Sequence, residues 1–149
     1  MRLDVPLFPD RTDQCGPAAL AGVLRFWAKD VEMGALKREM YRPALNGSLA
    51  VDLLLAAQEH GMSAELLDGG LAQIKTELDA GHPLIAFVNR GPRLLPVGHF
   101  LVVTGYDPRR RGVYINSGAR KDVFMSDASF ERQWGRADRW ALLILPSTQ

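Results

Sequence analysis

One cysteine and three histidines are the side chains of this 149-residue chain best suited to nucleophilic or acid–base chemistry. The cysteine, Cys15, stands in the run Asp13-Gln14-Cys15-Gly16-Pro17-Ala18-Ala19-Leu20. A cysteine reacts as its thiolate, and positive potential around the sulfur favours that form. The start of a helix supplies such potential through its unpartnered N–H groups and the positive end of its dipole. The run reads as such a start. Asp13 and Gln14 lie where a cap belongs, and Pro17 is tolerated in a first turn. Leu20, Val23, Leu24 and Trp27 follow at helical spacing, to an end near Lys29-Asp30. The plainer reading is a buried cysteine that fills space ahead of a core helix. A histidine partner would separate the two.

His60 sits beside Gly61 at a predicted helix end and reads as a cap; His82, between Gly81 and Pro83, reads as a solvated turn residue. Neither has metal-ligand spacing with Cys15 or with an acid. His99 opens an apolar strand directly after Gly98, at the mouth of a loop, which suits a base facing a cleft. A third group should orient its imidazole. A two-residue turn flanked by Asp107 and Arg110 would pair Asn116 with Leu101, which shares a face with His99. Asn116 would then lie diagonally beside His99, its carbonyl oxygen able to accept an imidazole N–H, and Ser117 would point away.

The elements that must position these groups follow from periodicity and punctuation. Leu3 to Phe8 is a short strand or extended arm. After the helix of Cys15, Met33–Tyr41 is a short helix, and Ser48 caps a third that runs to about His60 with Leu49, Leu53, Ala56 and Ala57 buried. Met62–Leu67 alternates as a strand, and Leu71, Ile74 and Leu78 mark a helix. Leu84–Val88 is a continuous apolar run, as in a buried strand. Asn89 to Gly98 is a shaped loop, and His99–Tyr106 is a strand with Phe100, Val102 and Thr104 on one face. Val113–Asn116 and Lys121–Met125 are further strands, Ser126-Asp127 caps a helix through Trp134, and Trp140–Leu145 closes the chain. Helices first and then a mostly antiparallel sheet make an α+β pattern, with a cleft between the halves as the natural site.

Composition bounds the class. The length and ordinary hydrophobic fraction suit a single domain, 1–149, with its own core. Eighteen basic against 17 acidic residues give no reason to invoke nucleic acid or an anionic membrane surface, and the run Arg109-Arg110-Arg111 reads as a solvated turn. One cysteine makes no internal disulfide. No apolar run is long enough to span a bilayer, and Met1–Asp4 carries no apolar signal core, so cytoplasmic residence is the expectation.

The segments DQCGPAAL, GHFLVVTGYD and YINSG resemble the bacteriocin-processing, double-glycine peptidase family of papain-like cysteine peptidases, in its stand-alone bacterial members. NGSLAVDLLLAAQEHGM and SFERQWGRADRWALLILP extend the likeness over nearly the whole chain. The resemblance implies a papain-like fold, with an N-terminal helical half and a C-terminal antiparallel sheet half. It implies a cysteine peptidase of peptide or protein substrates, without cofactor, that cuts after small residues such as Gly-Gly. The catalytic roles carry over onto Cys15 as nucleophile, His99 as general base and acid, and Asn116 as orienter. The Asn89–Gly98 loop would border the cleft, with Asn89, Arg90 and Gly98 against substrate. The family's oxyanion glutamine, a few residues before the cysteine, is missing from Phe8-Pro9-Asp10-Arg11-Thr12; Gln14, with the Cys15 backbone N–H, is the expected substitute. Two other readings are a peptidase-like domain that binds peptides without cutting, and an acyl or amide transferase that uses the same thiolate.

Overall fold

A computed structural model describes residues 1–9, 15–40, 42 and 50–147. Its frame is one antiparallel six-stranded sheet. In chain order the elements are α1 (Cys15–Phe26), α2 (Met33–Met40), α3 (Ala50–Glu59), β1 (Met62–Leu66), α4 (Gly70–Asp79), β2 (Leu84–Asn89), β3 (Gly98–Asp107), β4 (Gly112–Ser117), β5 (Arg120–Ser126), α5 (Asp127–Gly135) and β6 (Ala141–Pro146). The sheet order is β1-β6-β2-β3-β4-β5, every neighbouring pair antiparallel. The expected α+β class holds, and the predicted elements match within a few residues. The Ser48 cap lies outside the described residues, as do Asp10 and Gln14.

Strand alternation divides the interior in two. Ile85, Phe100, Val102, Leu142 and Ile144 face α1, α2 and α3, where they meet Leu20, Leu24, Leu36 and Leu53. Leu84, Val88, Leu101, Val103 and Leu143 face the other way, onto Ile74 and Leu78 of α4 and Phe130 and Trp134 of α5. Because period-2 strands present apolar residues on both faces, each face needs its own cover of helices. The helical half therefore covers one face of the sheet, and α4 and α5, which come later in the chain, cover the other.

α1 is the most enclosed helix: Gly16 to Leu24 are all buried. It ends sooner than its apolar spacing suggests. Ala28 takes a left-handed conformation (φ 63°), and Lys29 N–H closes back onto the Leu24 carbonyl at 2.9 Å, a helix-stopping pattern of bonds. The N-terminal arm crosses this helix and bonds to β3 through Leu3 N–H and the Thr104 carbonyl at 2.7 Å. Gly22 permits the crossing, because a Cβ there would stand 2.7 Å from the Pro6 carbonyl oxygen. Among the described residues no helix is long and apolar enough to cross a membrane.

Candidate active site

Cys15 is the first residue of α1 and is half-buried. Pro17, the third residue, costs no intrahelical bond there. With the body of α1 held between the sheet, its neighbouring helices and the arm, the thiol is fixed near the ends of β3 and β4. It borders a gap of about 20 Å³ shared with Phe8, Phe100, Asn116 and Gly118.

His99 is the second residue of β3, opposite Val88 of β2, and is half-buried. Its Nε2 lies 2.9 Å from the Ser117 hydroxyl oxygen, at the end of β4. Arg90 Nη2 donates to the same oxygen at 2.9 Å. A guanidinium only donates, so Arg90 occupies one lone pair of Ser117, whose other lone pair or proton faces the imidazole. Burial, and then the charge of Arg90, lower the His99 pKa to about 4. At neutral pH the ring is uncharged. It can accept a proton, but it is not a standing cation beside a thiolate. Cys15 approaches this end of the sheet from the α1 side, whereas His99 and Ser117 share the face of Leu101, on the α5 side.

The orienting bond expected from Asn116 is made by Ser117. The cause is register. Asp107 pairs with Gly112 rather than flanking a two-residue turn, and a bulge between Val103 and Gly105 shifts the ladder, so that Val102 pairs with Asn116. Each one-residue slip exchanges the faces of a strand. The signal for the longer turn is present in Asp107-Pro108, a favoured turn opening. The Asp107 carboxylate accepts the backbone N–H groups of Arg109 and Arg110 at 3.0 and 3.3 Å, and Arg111 takes φ 54°. Asn116 is buried on the α1 side instead. Its Nδ2 donates to the Val5 carbonyl at 3.0 Å, and its Oδ1 accepts from the Asp122 N–H at 2.9 Å. It thereby ties the arm to the β4–β5 hairpin.

The loop before His99 needs a second correction. Asn89 is buried, and its Oδ1 accepts from Gly91 N–H at 2.9 Å and Val97 N–H at 2.8 Å. It shapes the loop. Arg136, at the end of α5, donates to the Gly91 carbonyl at 3.0 Å, a brace that sequence reasoning missed. Gly98 is exposed, and a Cβ on it would stand 2.4 Å from the Phe87 ring, so close packing on the sheet explains it. Arg90 is exposed, and its charge acts on the imidazole beside it. Leu94 and Leu95, 93% and 72% exposed, form the loop's tip. Among the described residues no three His, Cys, Asp or Glu side chains gather to hold a metal ion. His60 lies 3.3 Å from Glu39 and His82 lies 2.8 Å from Glu77.

Comparison with known proteins bears on this arrangement. The family model described as Peptidase_C39 like family matches residues 2–141. No curated protein matches the chain. Among solved structures, a double-glycine-motif protease from an AMS/PCAT transporter, in complex with a leader peptide, is 26% identical, with a TM-score of 0.76 over 98% of this chain and 94% of that one. The peptidase domain of Streptococcus ComA, a bifunctional ABC transporter of a quorum-sensing pathway, is 22% identical, with a TM-score of 0.77 over 97% and 100%. A C39-like peptidase from Bacillus anthracis is 17% identical, with a TM-score of 0.78 over 98% and 96%. The last two likenesses are of fold.

Proposed function

This chain belongs to the C39-like peptidase family, and on that footing we propose that it is a cysteine peptidase acting on a peptide substrate through Cys15 and His99. The observation that carries the reading is a cysteine in the first turn of α1 together with a neutral histidine whose ring is held by Ser117, in a chain that the family model matches over residues 2–141. In the tautomer that donates Nε2–H to Ser117, the Nδ1 lone pair is left as the base. It takes the Cys15 proton as the sulfur attacks the peptide carbonyl, and returns it to the leaving amine. The first-turn N–H of Cys15 and the helix dipole favour the oxyanion that develops in this attack. Water then releases the acyl group. The leader peptide bound to the 26%-identical transporter protease supports a peptide as substrate, and cleavage after Gly-Gly follows from the family resemblance.

A second reading, a peptide-binding domain that does not cut, is favoured by the surroundings of His99. Arg90 and burial both oppose the imidazolium that proton transfer creates, and Ser117 brings no negative charge to offset them. Incubation with peptides carrying Gly-Gly, followed by mass spectrometry, separates the two. The expected result is cleavage after the second glycine, abolished in Cys15→Ala and in His99→Ala. Binding of the intact peptide with no product, at any enzyme concentration, would establish the second reading in its place.

A further inference from the structure

On the α5 face of the sheet, beside the Ser117–His99 pair, lies an open cavity of about 480 Å³ that extends beyond the groups of the proposed peptidase step. Its polar lining is Arg90, Ser117, Arg120 and Gln133, and its apolar wall includes Ile115, Val123 and Met125. Among the described residues no acidic side chain lines it. Among the described residues neither Arg90 nor Arg120 has a carboxylate partner, although four other lysines and arginines of the chain are paired with Asp or Glu at 3.1 Å or less. Among the described residues, the two arginines that line this cavity therefore have no carboxylate beside them in its lining. The size falls within the range of small-ligand pockets, which are mostly apolar with a few convergent polar groups. A guanidinium offers a planar fork of donors that matches a carboxylate.

We propose that this cavity binds a carboxylate carried on a short aliphatic body, with the charged end held by Arg90 and Arg120 and the body laid against Ile115, Val123 and Met125. Two sources share this chemistry: a free medium-chain carboxylate, and the C-terminus of a peptide that ends in aliphatic residues. A carboxylate in the cavity competes with Ser117 for Arg90, so occupancy reaches the Ser117–His99 bond through one shared side chain. The site stands whether or not Cys15 cuts peptides, because its test reads binding and not turnover.

Calorimetric titration of the full chain, carrying Cys15→Ala to prevent turnover, with octanoate and with acetyl-Leu-Leu is the test. Octanol and the peptide amide serve as uncharged controls. At least one carboxylate is expected to bind, with its uncharged counterpart about tenfold weaker or more, the scale of a lost charged hydrogen bond. Whichever carboxylate binds more tightly identifies the source. Arg120→Gln, an exposed position that leaves Arg90 in place, should weaken binding by about the same factor. The His99 ring signals in 1H–15N spectra should shift on saturation. Absence of binding by both carboxylates overturns the proposal, as does binding that is equal for the uncharged controls, survives Arg120→Gln, or leaves the His99 signals unmoved.

Discussion

At the scale of the residue, His99 sets what the site can do. Its pKa of about 4, against 6.5 for an ordinary histidine, means that the unfolded chain binds a proton at His99 that the folded chain refuses between those values. Stability from this group is therefore present above pH 6.5 and is lost as pH falls towards 4. Thermal midpoints measured from pH 7 to 4 should fall more steeply for the natural chain than for His99→Gln. Equal slopes would mean that His99 titrates normally. A second expectation concerns its partner. Ser117→Asp places a carboxylate where a neutral hydroxyl now meets both the imidazole and Arg90, and both effects favour the imidazolium. The His99 midpoint, followed by ring NMR, should rise well above 4 towards the neutral range. If it stays where it is, burial alone governs the ring, and the Ser117 bond has no electrostatic part in the site.

At the scale of the element, the β3–β4 hairpin decides which side chains reach the site. A four-residue connection and a bulge at Thr104 place Ser117 on the His99 face and Asn116 on the α1 face. Thr104, fully buried at the bulge, reaches the Asp122 carboxylate at 2.9 Å, while Asp122 N–H bonds to Asn116. These bonds hold β4, β5 and the arm in one register. Asn116→Ala would leave the Val5 carbonyl and the Asp122 N–H without their partners. Each such loss in a buried setting costs about 1–3 kcal/mol, so for the two a destabilisation of about 2–6 kcal/mol is expected in urea denaturation. A loss below about 0.5 kcal/mol would show that water replaces both bonds, and that the hub is dispensable.

At the scale of the whole molecule, the cysteine and the histidine come from different layers. α1 brings Cys15 from one side of the sheet, while β3 and the α5-braced loop bring His99, Arg90 and Ser117 to the other. The close seating of α1 and the arm fixes where Cys15 stands against the sheet. Gly22 marks how tight that seating is. In an open helix, replacing glycine by alanine stabilises by about 1 kcal/mol. Here the added methyl would meet the Pro6 carbonyl at 2.7 Å, and the rigid arm would have to move. Gly22→Ala is therefore expected to lower the thermal midpoint, at a cost of about 1–3 kcal/mol from overpacking. A raised midpoint would show that the arm is held loosely.

Much of this protein was determined by local rules that a sequence carries openly. The apolar spacing of Leu20, Val23 and Leu24, the run Leu84–Val88, the alternation from Phe100 to Val103 and the Ser126 cap depend on periods and punctuation within a few residues, and each lies where those rules put it. The likeness of DQCGPAAL and GHFLVVTGYD to a peptidase family was legible for the same reason, and the family match over residues 2–141 agrees with it. What surrounds His99 was decided only by tertiary structure. The partner of a strand residue depends on register, and register here depends on a turn and a bulge whose geometry couples residues 104, 107, 116 and 122. One residue of slip exchanged Ser117 for Asn116. Burial turned Asn89 from a surface group into the fastening of its loop, and the approach of Arg90 to Ser117 joined two residues 27 positions apart. Such relations arise from packing between distant segments, and no local spacing encodes them.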